Sequence, residues 1–255
     1  MPPEPVTRIA QAYADRVEVR GHDLTELMGT VSFTEYFHVL LTGRKPTEEQ
    51  RFFLDVLLVA IAEHGMMPSN VAARVTLAAD PGSLQGAVAA GILGCGPVVL
   101  GTAGPCAALL EHAQARVAAG EAPDAVVGDV ARGIHAAGEK IPGFGHPVHH
   151  PLDPRAERIL ELADARGVSG AHVRLARALH DAVAETWGKP LTMNVSMPIA
   201  AVLLDLGFPR SSVKAIPILA RTASLLAHLE EEQESPVGLL MAERADEAVE
   251  YQRPE

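Results

Sequence analysis

Gly143-Phe144-Gly145-His146-Pro147-Val148-His149-His150-Pro151-Leu152-Asp153-Pro154-Arg155 is an irregular segment in an otherwise helical chain, and it is the segment densest in reactive groups. Three His, one Asp and one Arg fall within ten residues. Asp153 followed by Pro154 reads as an N-cap and a first helical position, so a helix starts here with Arg155 in its first turn. The free N–H groups and the dipole of that turn favour negative charge. Three readings of the segment stand side by side. His and Asp are good metal ligands, although the spacing does not suit a helix-borne pair and three prolines stiffen the loop. An anion site would use His146 as a hydrogen-bond donor and Arg155 as a charged fork. A solvated polar loop needs no function.

Outward from this loop the periodicity is helical in both directions. Helices are expected at about 106–119 and 123–137 before it, and at about 154–166, 170–187, 195–206 and 210–232 after it. Upstream, Ser32-Phe-Thr-Glu35 is a capping box whose helix stops at Gly43, and Pro46-Thr47-Glu-Glu-Gln50 opens the next helix with the same device, ending at His64-Gly65. Ser69 and Ser83 read as caps of helices at about 70–79 and 83–93, before a glycine-rich patch from Gly94 to Pro105. Val17-Glu-Val19 is the one strand candidate, and the charged stretch from about Glu243 reads as loose. The fold class is therefore all-α, with more helices than a four-helix bundle.

Composition bounds the partners. The 255 residues carry a net charge of −11 and a pI of about 5.4, with 4% aromatic residues. Such a chain repels phosphate backbones and lacks stacking surfaces, so nucleic acid is not an expected partner. An anionic substrate would need a local basic site. Two cysteines, Cys95 and Cys106, are too few for a disulfide framework, and the polar start Met1-Pro-Pro-Glu-Pro5 does not look like a secretion signal, so a cytoplasmic location is expected. The longest apolar stretch, Gly86 to Leu100, is too short to span a bilayer. Dinucleotide, P-loop, H-E-x-x-H and G-x-S-x-G templates are absent. Taken alone, His64 at the end of an apolar helix reads as a partner of the helix dipole, and Arg221 inside Ile216–Leu229 reads as a snorkelling side chain.

The loop 143–155, with G-F-G-H followed by D-P-R, resembles the citrate synthase superfamily. Four further segments agree with it in the same order: Ser32 to Thr47; Ala62-Glu-His64-Gly; Asn194-Val195 followed by Leu206-Gly-Phe-Pro209; and Ala220-Arg221-Thr-Ala-Ser-Leu-Leu-Ala-His228. The resemblance covers about Val17 to Gln233 and is nearest to the short branch of citryl-CoA lyases and citrate synthase-like proteins. It implies an all-α homodimer with a large domain (1–104 and 210–255), a smaller one (105–209), and the substrate in the cleft between them. His64 and His146 would hydrogen-bond an oxaloacetate or citrate moiety, and Arg155 and Arg221 would hold its carboxylates. A coenzyme A thioester would be the co-substrate, with no permanently bound cofactor and no metal.

The departures from the family's pattern fall on the chemistry. Where the family has a histidine that polarises the acyl carbonyl, this chain has Val99. Where it has an aspartate base, this chain has Ser196. Glu234-Ser235-Pro236 stands where an Arg-Pro usually follows, and His150 replaces an arginine that meets coenzyme A. Losing a positioned acid or base costs about 10²–10⁴-fold each, so weak or no ordinary citrate synthase turnover is expected. The resemblance implies a protein acting on a di- or tricarboxylate and an acyl-CoA, most like citryl-CoA lyase, with His146, His64 and Ser196 as catalytic residues and His150 toward coenzyme A. The alternatives are a non-catalytic binding relative, or a different reaction with His146 as acid–base and Ser196 as donor.

Overall fold

A computed structural model describes residues 5–96 and 98–254. The first four residues of the N-terminal reading, and Pro97 of the Gly96-Pro97-Val98 motif, lie outside the described residues. The chain divides into two compact units, residues 1–56 and 57–255.

In the first unit, β1 (Ala10–Ala12), β2 (Val17–Val19) and β3 (His22–Asp23) form a small antiparallel sheet, with Ala10 opposite Val19 and Glu18 opposite Asp23. Periodicity predicted β2 alone; segments of two and three residues are too short to show alternation. Helices α1 (Leu24–Leu27) and α2 (Phe33–Thr42) follow. Ser32 and Glu35 form the capping box at the start of α2, and Gly43 stops it in the left-handed region at φ 73°. Thr47 and Gln50 bond reciprocally at the start of α3 (Glu48–Ala62), as the sequence pattern required.

Residues 57–255 hold α4 (Pro68–Ala79), α5 (Leu84–Leu93), α6 (Ala103–Ala118), α7 (Pro123–Ala136), α8 (Pro154–Ala165), α9 (Ala171–Trp187), α10 (Ser196–Asp205), α11 (Arg210–Val213), α12 (Ala215–Glu234) and α13 (Gly238–Glu247). Two helix groups emerge. α4 packs on α5, α12 and α13 around Ala73, Leu77, Ala87, Leu225 and Leu229. The other group surrounds α10, which packs on α6, α8 and α9 while α7 lies along α9. Every residue of α10 from Ser196 to Leu204 is buried, as expected of a helix apolar on all sides.

Several sequence expectations are corrected. Pro68 rather than Asn70 opens α4, with Met67 at the cap, and the Ser69 side chain instead bonds Asn70. Ser83 occupies the cap position of α5 without a side-chain bond. α6 starts inside the glycine-rich patch, because Pro105 sits within the first turn where no N–H is needed. The expected helix 210–232 breaks at Lys214 into α11 and α12. The charged stretch after Glu243 is not loose up to Glu247, because α13 packs against α4.

Candidate functional site

The loop of interest is held on two sides. An antiparallel bridge joins Phe144 to Met193, while Gly145 N–H donates to Thr192 C=O at 2.7 Å and Asn194 N–H to Gly143 C=O at 2.9 Å. The Asn194 side-chain amide reaches Gly145 C=O at 3.0 Å. Gly143 sits at φ +82°, and a Cβ there would lie 2.7–2.9 Å from Met197 and Cys106 side-chain atoms. Only glycine fits, so the loop can lie directly on α10 and present His146 above its first residue, Ser196.

Asp153 is fully buried and organises the other end. One oxygen accepts from Arg155 N–H at 3.0 Å, which caps α8, and the two oxygens accept from Arg155 Nε and Nη2 at 3.0 and 2.8 Å. The second oxygen also accepts Val195 N–H at 3.1 Å. Asp153 is thus both helix cap and aiming device for Arg155, and despite its burial these bonds hold its carboxyl below the usual range.

These elements wall a cavity of about 150 Å³. His64, His146, Arg155, Ser196 and Arg221 line it together, with Thr102 and Asn194, and an apolar side made by Ile61, Met67, Val98, Val99 and Leu100. His150 does not line it; it is exposed, with Nδ1 3.5 Å from Thr192 Oγ1. Both chemistry-changing departures, Val99 and Ser196, face the cavity, and the Ser196 hydroxyl donates to Thr102 Oγ1 at 3.2 Å.

His146 has a defined protonation pattern. Its Nδ1 accepts the backbone N–H groups of Val148 at 3.1 Å and His149 at 2.9 Å, so the ring proton sits on Nε2. Burial, reinforced by His149, pushes its pKa down to about 4, so the ring is a neutral donor at physiological pH. Its Nε2 lies 3.4 Å from Arg155 Nη2. Two donors this close on the wall of one cavity suit an oxygen acceptor.

Arg221 does not snorkel. It is 2% exposed; Nη1 donates to Asn70 Oδ1 at 3.1 Å, and Nε is a buried nitrogen with no partner among the described residues. Burial lowers its pKa, with the Glu63 carboxylate opposing. Glu63 gathers the surrounding turn: it accepts from His64 N–H at 2.8 Å, Gly65 N–H at 2.5 Å, the Ser224 hydroxyl and His228 Nε2 at 3.0 Å. Asn70 Nδ2 donates to Gly65 C=O at 2.6 Å. Together Glu63 and Asn70 tie α12 and α4 to the turn that carries His64.

His64 Nε2 lies 3.1 Å from His149 Nε2, and the ligand nitrogens of His64, His146 and His149 fall within 4.8 Å of one another. Three such rings could enclose a cation. As arranged, His146 offers a proton rather than a lone pair, the other two rings bond each other, and the Arg155 guanidinium stands alongside. The cluster fits an oxyanion or carbonyl better than a metal ion. Sequence alone does not rank His149, Glu63 and Asn70, because the pairings His149–His64, Glu63–Ser224 and Asn70–Arg221 join residues distant in the chain, and periodicity carries no trace of them.

The family model for the citrate synthase C-terminal domain matches residues 7–239. The putative citrate synthase 2 of Mycobacterium tuberculosis is 31% identical over 185 residues, covering 71% of this chain and 47% of that protein. The chain thus spans about half the length of this relative. The structure of citryl-CoA lyase from Hydrogenobacter thermophilus superposes with a TM-score of 0.85 at 28% identity, covering 99% of this chain and 96% of the other. An ATP citrate lyase from Methanothrix soehngenii, solved with citrate and coenzyme A, shares the fold at 19% identity and a TM-score of 0.79, over 100% of this chain and 42% of its own. With motif order, helical architecture and the G-F-G-H/D-P-R loop in agreement, the chain belongs to the citrate synthase family.

Proposed function

We propose that this protein makes or breaks a carbon–carbon bond between a carboxylic acid and an acyl-CoA, in the manner of a citryl-CoA lyase. The observation that carries the reading is that His146 Nε2 and Arg155 Nη2 lie 3.4 Å apart, from two residues that line one cavity together with the buried Arg221. Arg155 and Arg221 would hold the carboxylates as forks. Neutral His146 would donate to the oxygen that alternates between hydroxyl and carbonyl as the bond breaks or forms, and His64 would hydrogen-bond the same oxygen. A donor aimed at developing charge in a water-poor site contributes about 10²–10³ in rate. Ser196, bonded to Thr102, supplies a hydroxyl where a carboxylate base would stand.

The acyl-CoA would enter along the apolar side at Val98–Leu100, with exposed His150 toward the nucleotide part; the Methanothrix soehngenii ATP citrate lyase of the same fold was solved with citrate and coenzyme A. The thioester is a co-substrate, and the reading includes no permanently held cofactor. The proposed division is a large domain of 1–104 with 210–255 and a small one of 105–209; within residues 57–255 the separate packing of α4, α5, α12 and α13 and of α6 to α10 supports it. A homodimer in the cytoplasm completes the reading. Among the described residues no helix is long and apolar enough to cross a membrane.

Val99 and Ser196 in the cavity favour a second reading, a relative that binds the acid or the acyl-CoA without turnover. Thermal melting with dicarboxylates, with and without acyl-CoAs, separates the two when paired with product detection. A stabiliser present at a hundred times its Kd raises stability by about 2.7 kcal/mol. Stabilisation with cleavage of a hydroxyacyl-CoA supports the lyase. Stabilisation without cleavage supports the binder, and no response from any member of the set refutes both.

A further inference from the structure

We infer that His149, through its hydrogen bond to His64, carries away the proton that bond cleavage releases in this cavity. The inference rests on the proposed reaction and adds the group that receives the hydroxyl proton.

It follows by accounting for the lining. Cleavage of a hydroxyacyl thioester needs an acceptor for the hydroxyl proton. Among the described residues lining the cavity, the titratable ones are His64, His146, Arg155 and Arg221. The arginines stay protonated. His146 has its Nδ1 filled by two backbone amides and only a proton on Nε2, so it donates. The Ser196 hydroxyl is no base at neutral pH. His64 remains.

Its Nε2 and that of His149 are 3.1 Å apart, so one ring must donate and the other accept. With the proton on His64 Nε2, its Nδ1 is a lone pair, and among the described residues none bonds that nitrogen. The hydroxyl proton moves to His64 Nδ1 as the Nε2 proton passes to His149. The hydroxyl oxygen forms the new carbonyl on His146. The electron pair of the breaking carbon–carbon bond goes to the carbon beside the thioester, which takes a proton from water. His64 ends neutral, and the positive charge lands on His149, which does not line the cavity, is only partly buried, and can return its proton to solvent.

His149 is built into place. Its N–H donates to His146 at 2.9 Å, its C=O accepts from Thr192 Oγ1 at 3.2 Å, and its ring lies 4.4 Å from that of His146. The charged and titratable groups around the pair are Arg155, Asp153 and His146, with Glu63 bonded to the backbone of His64. Burial and Arg155 keep His64 below its ordinary pKa, which disfavours leaving the charge on it.

The test compares wild type with His149→Gln, which can hydrogen-bond but not carry a proton, and His149→Ala. Cleavage should fall about 10²-fold or more in both, with acid binding and melting temperature unchanged, and free imidazole should restore part of the rate to His149→Ala. A His149→Gln protein with the full rate and pH profile would overturn the relay. Imidazole ¹⁵N shifts read it independently of turnover: His64 should be protonated on Nε2 in wild type and lose that preference in His149→Ala. A wild-type His64 protonated on Nδ1 refutes the relay even if cleavage occurs. The expected tautomer in a protein that cleaves nothing supports the pair and refutes the proposed reaction.

Discussion

Replacing Arg221 by methionine should abolish acid binding while leaving the free protein as stable or more so. Methionine keeps the stem's apolar packing and removes the charge. Arg221 is 2% exposed, and among the described residues its buried Nε has no partner and its guanidinium makes one side-chain bond, to Asn70. An unsatisfied buried donor costs about 1–3 kcal/mol, and that cost disappears in the variant. Asn70 Oδ1 keeps the Ser69 hydroxyl at 3.1 Å, so no new orphan is created. A net gain of about 1 kcal/mol would raise the melting temperature by about 2–4 °C in a domain of this size. Losing one partner of a desolvated charge pair weakens binding by about 2–5 kcal/mol, or roughly 30- to several-thousand-fold in Kd. Melting curves with and without the stabilising acid read both effects together. A variant that melts several degrees lower and still responds fully to the acid would show that Arg221 is a structural cation and refute the reasoning.

Gly143→Ala should destabilise the protein by more than about 3 kcal/mol, since the new Cβ at φ +82° would overlap Met197 and Cys106; denaturant unfolding measures it. The Asp205 side chain is 4% exposed and accepts the N–H groups of Gly170, His172 and Val173 at 2.8–2.9 Å, so Asp205→Ala should cost about 2–4 kcal/mol by uncapping α9. Its carboxyl is held below the usual range, so its contribution is present above the unfolded carboxyl's pKa and is lost as pH falls through the lower folded value. His146 titrates near 4 when folded, against about 6.5 in the unfolded chain. The unfolded state therefore binds more protons between these values, and His146 makes stability fall as pH drops from about 6.5 toward 4. His146→Gln should flatten that part of a stability–pH curve. Calorimetry with citrate, malate and citramalate tests the missing Arg after α12; citrate binding far more tightly than the other two would contradict a site with fewer or differently placed carboxylates.

What could be read from sequence follows the range of the forces involved. The capping pairs Ser32/Glu35 and Thr47/Gln50 and the Asp153-Pro154 start of α8 are local devices, and the structure has all three. Periodicity alone reads Arg221 as a snorkelling side chain, because it gives a helix without saying what its polar member faces; α4 and the Glu63 turn decide that. His149 was passed over because its ring meets His64, 85 residues away. The strands flanking Val17–Val19 are too short to alternate, and α13 buries only Gly238 and shows no clear apolar face, so only its packing on α4 reveals it. Val99 and Ser196 were legible as departures from the family's pattern, and both line the cavity.

The central claim is chemical, and product analysis tests it most directly. Purified protein would be incubated with citryl-CoA, malyl-CoA and citramalyl-CoA, and the products followed by mass spectrometry in wild type and His146→Ala. The account predicts that at least one thioester is split into a 2-oxo acid and a shorter acyl-CoA, at a rate that falls about 10²-fold or more without His146. No cleavage of any of the three, or cleavage that survives His146→Ala unchanged, would contradict it.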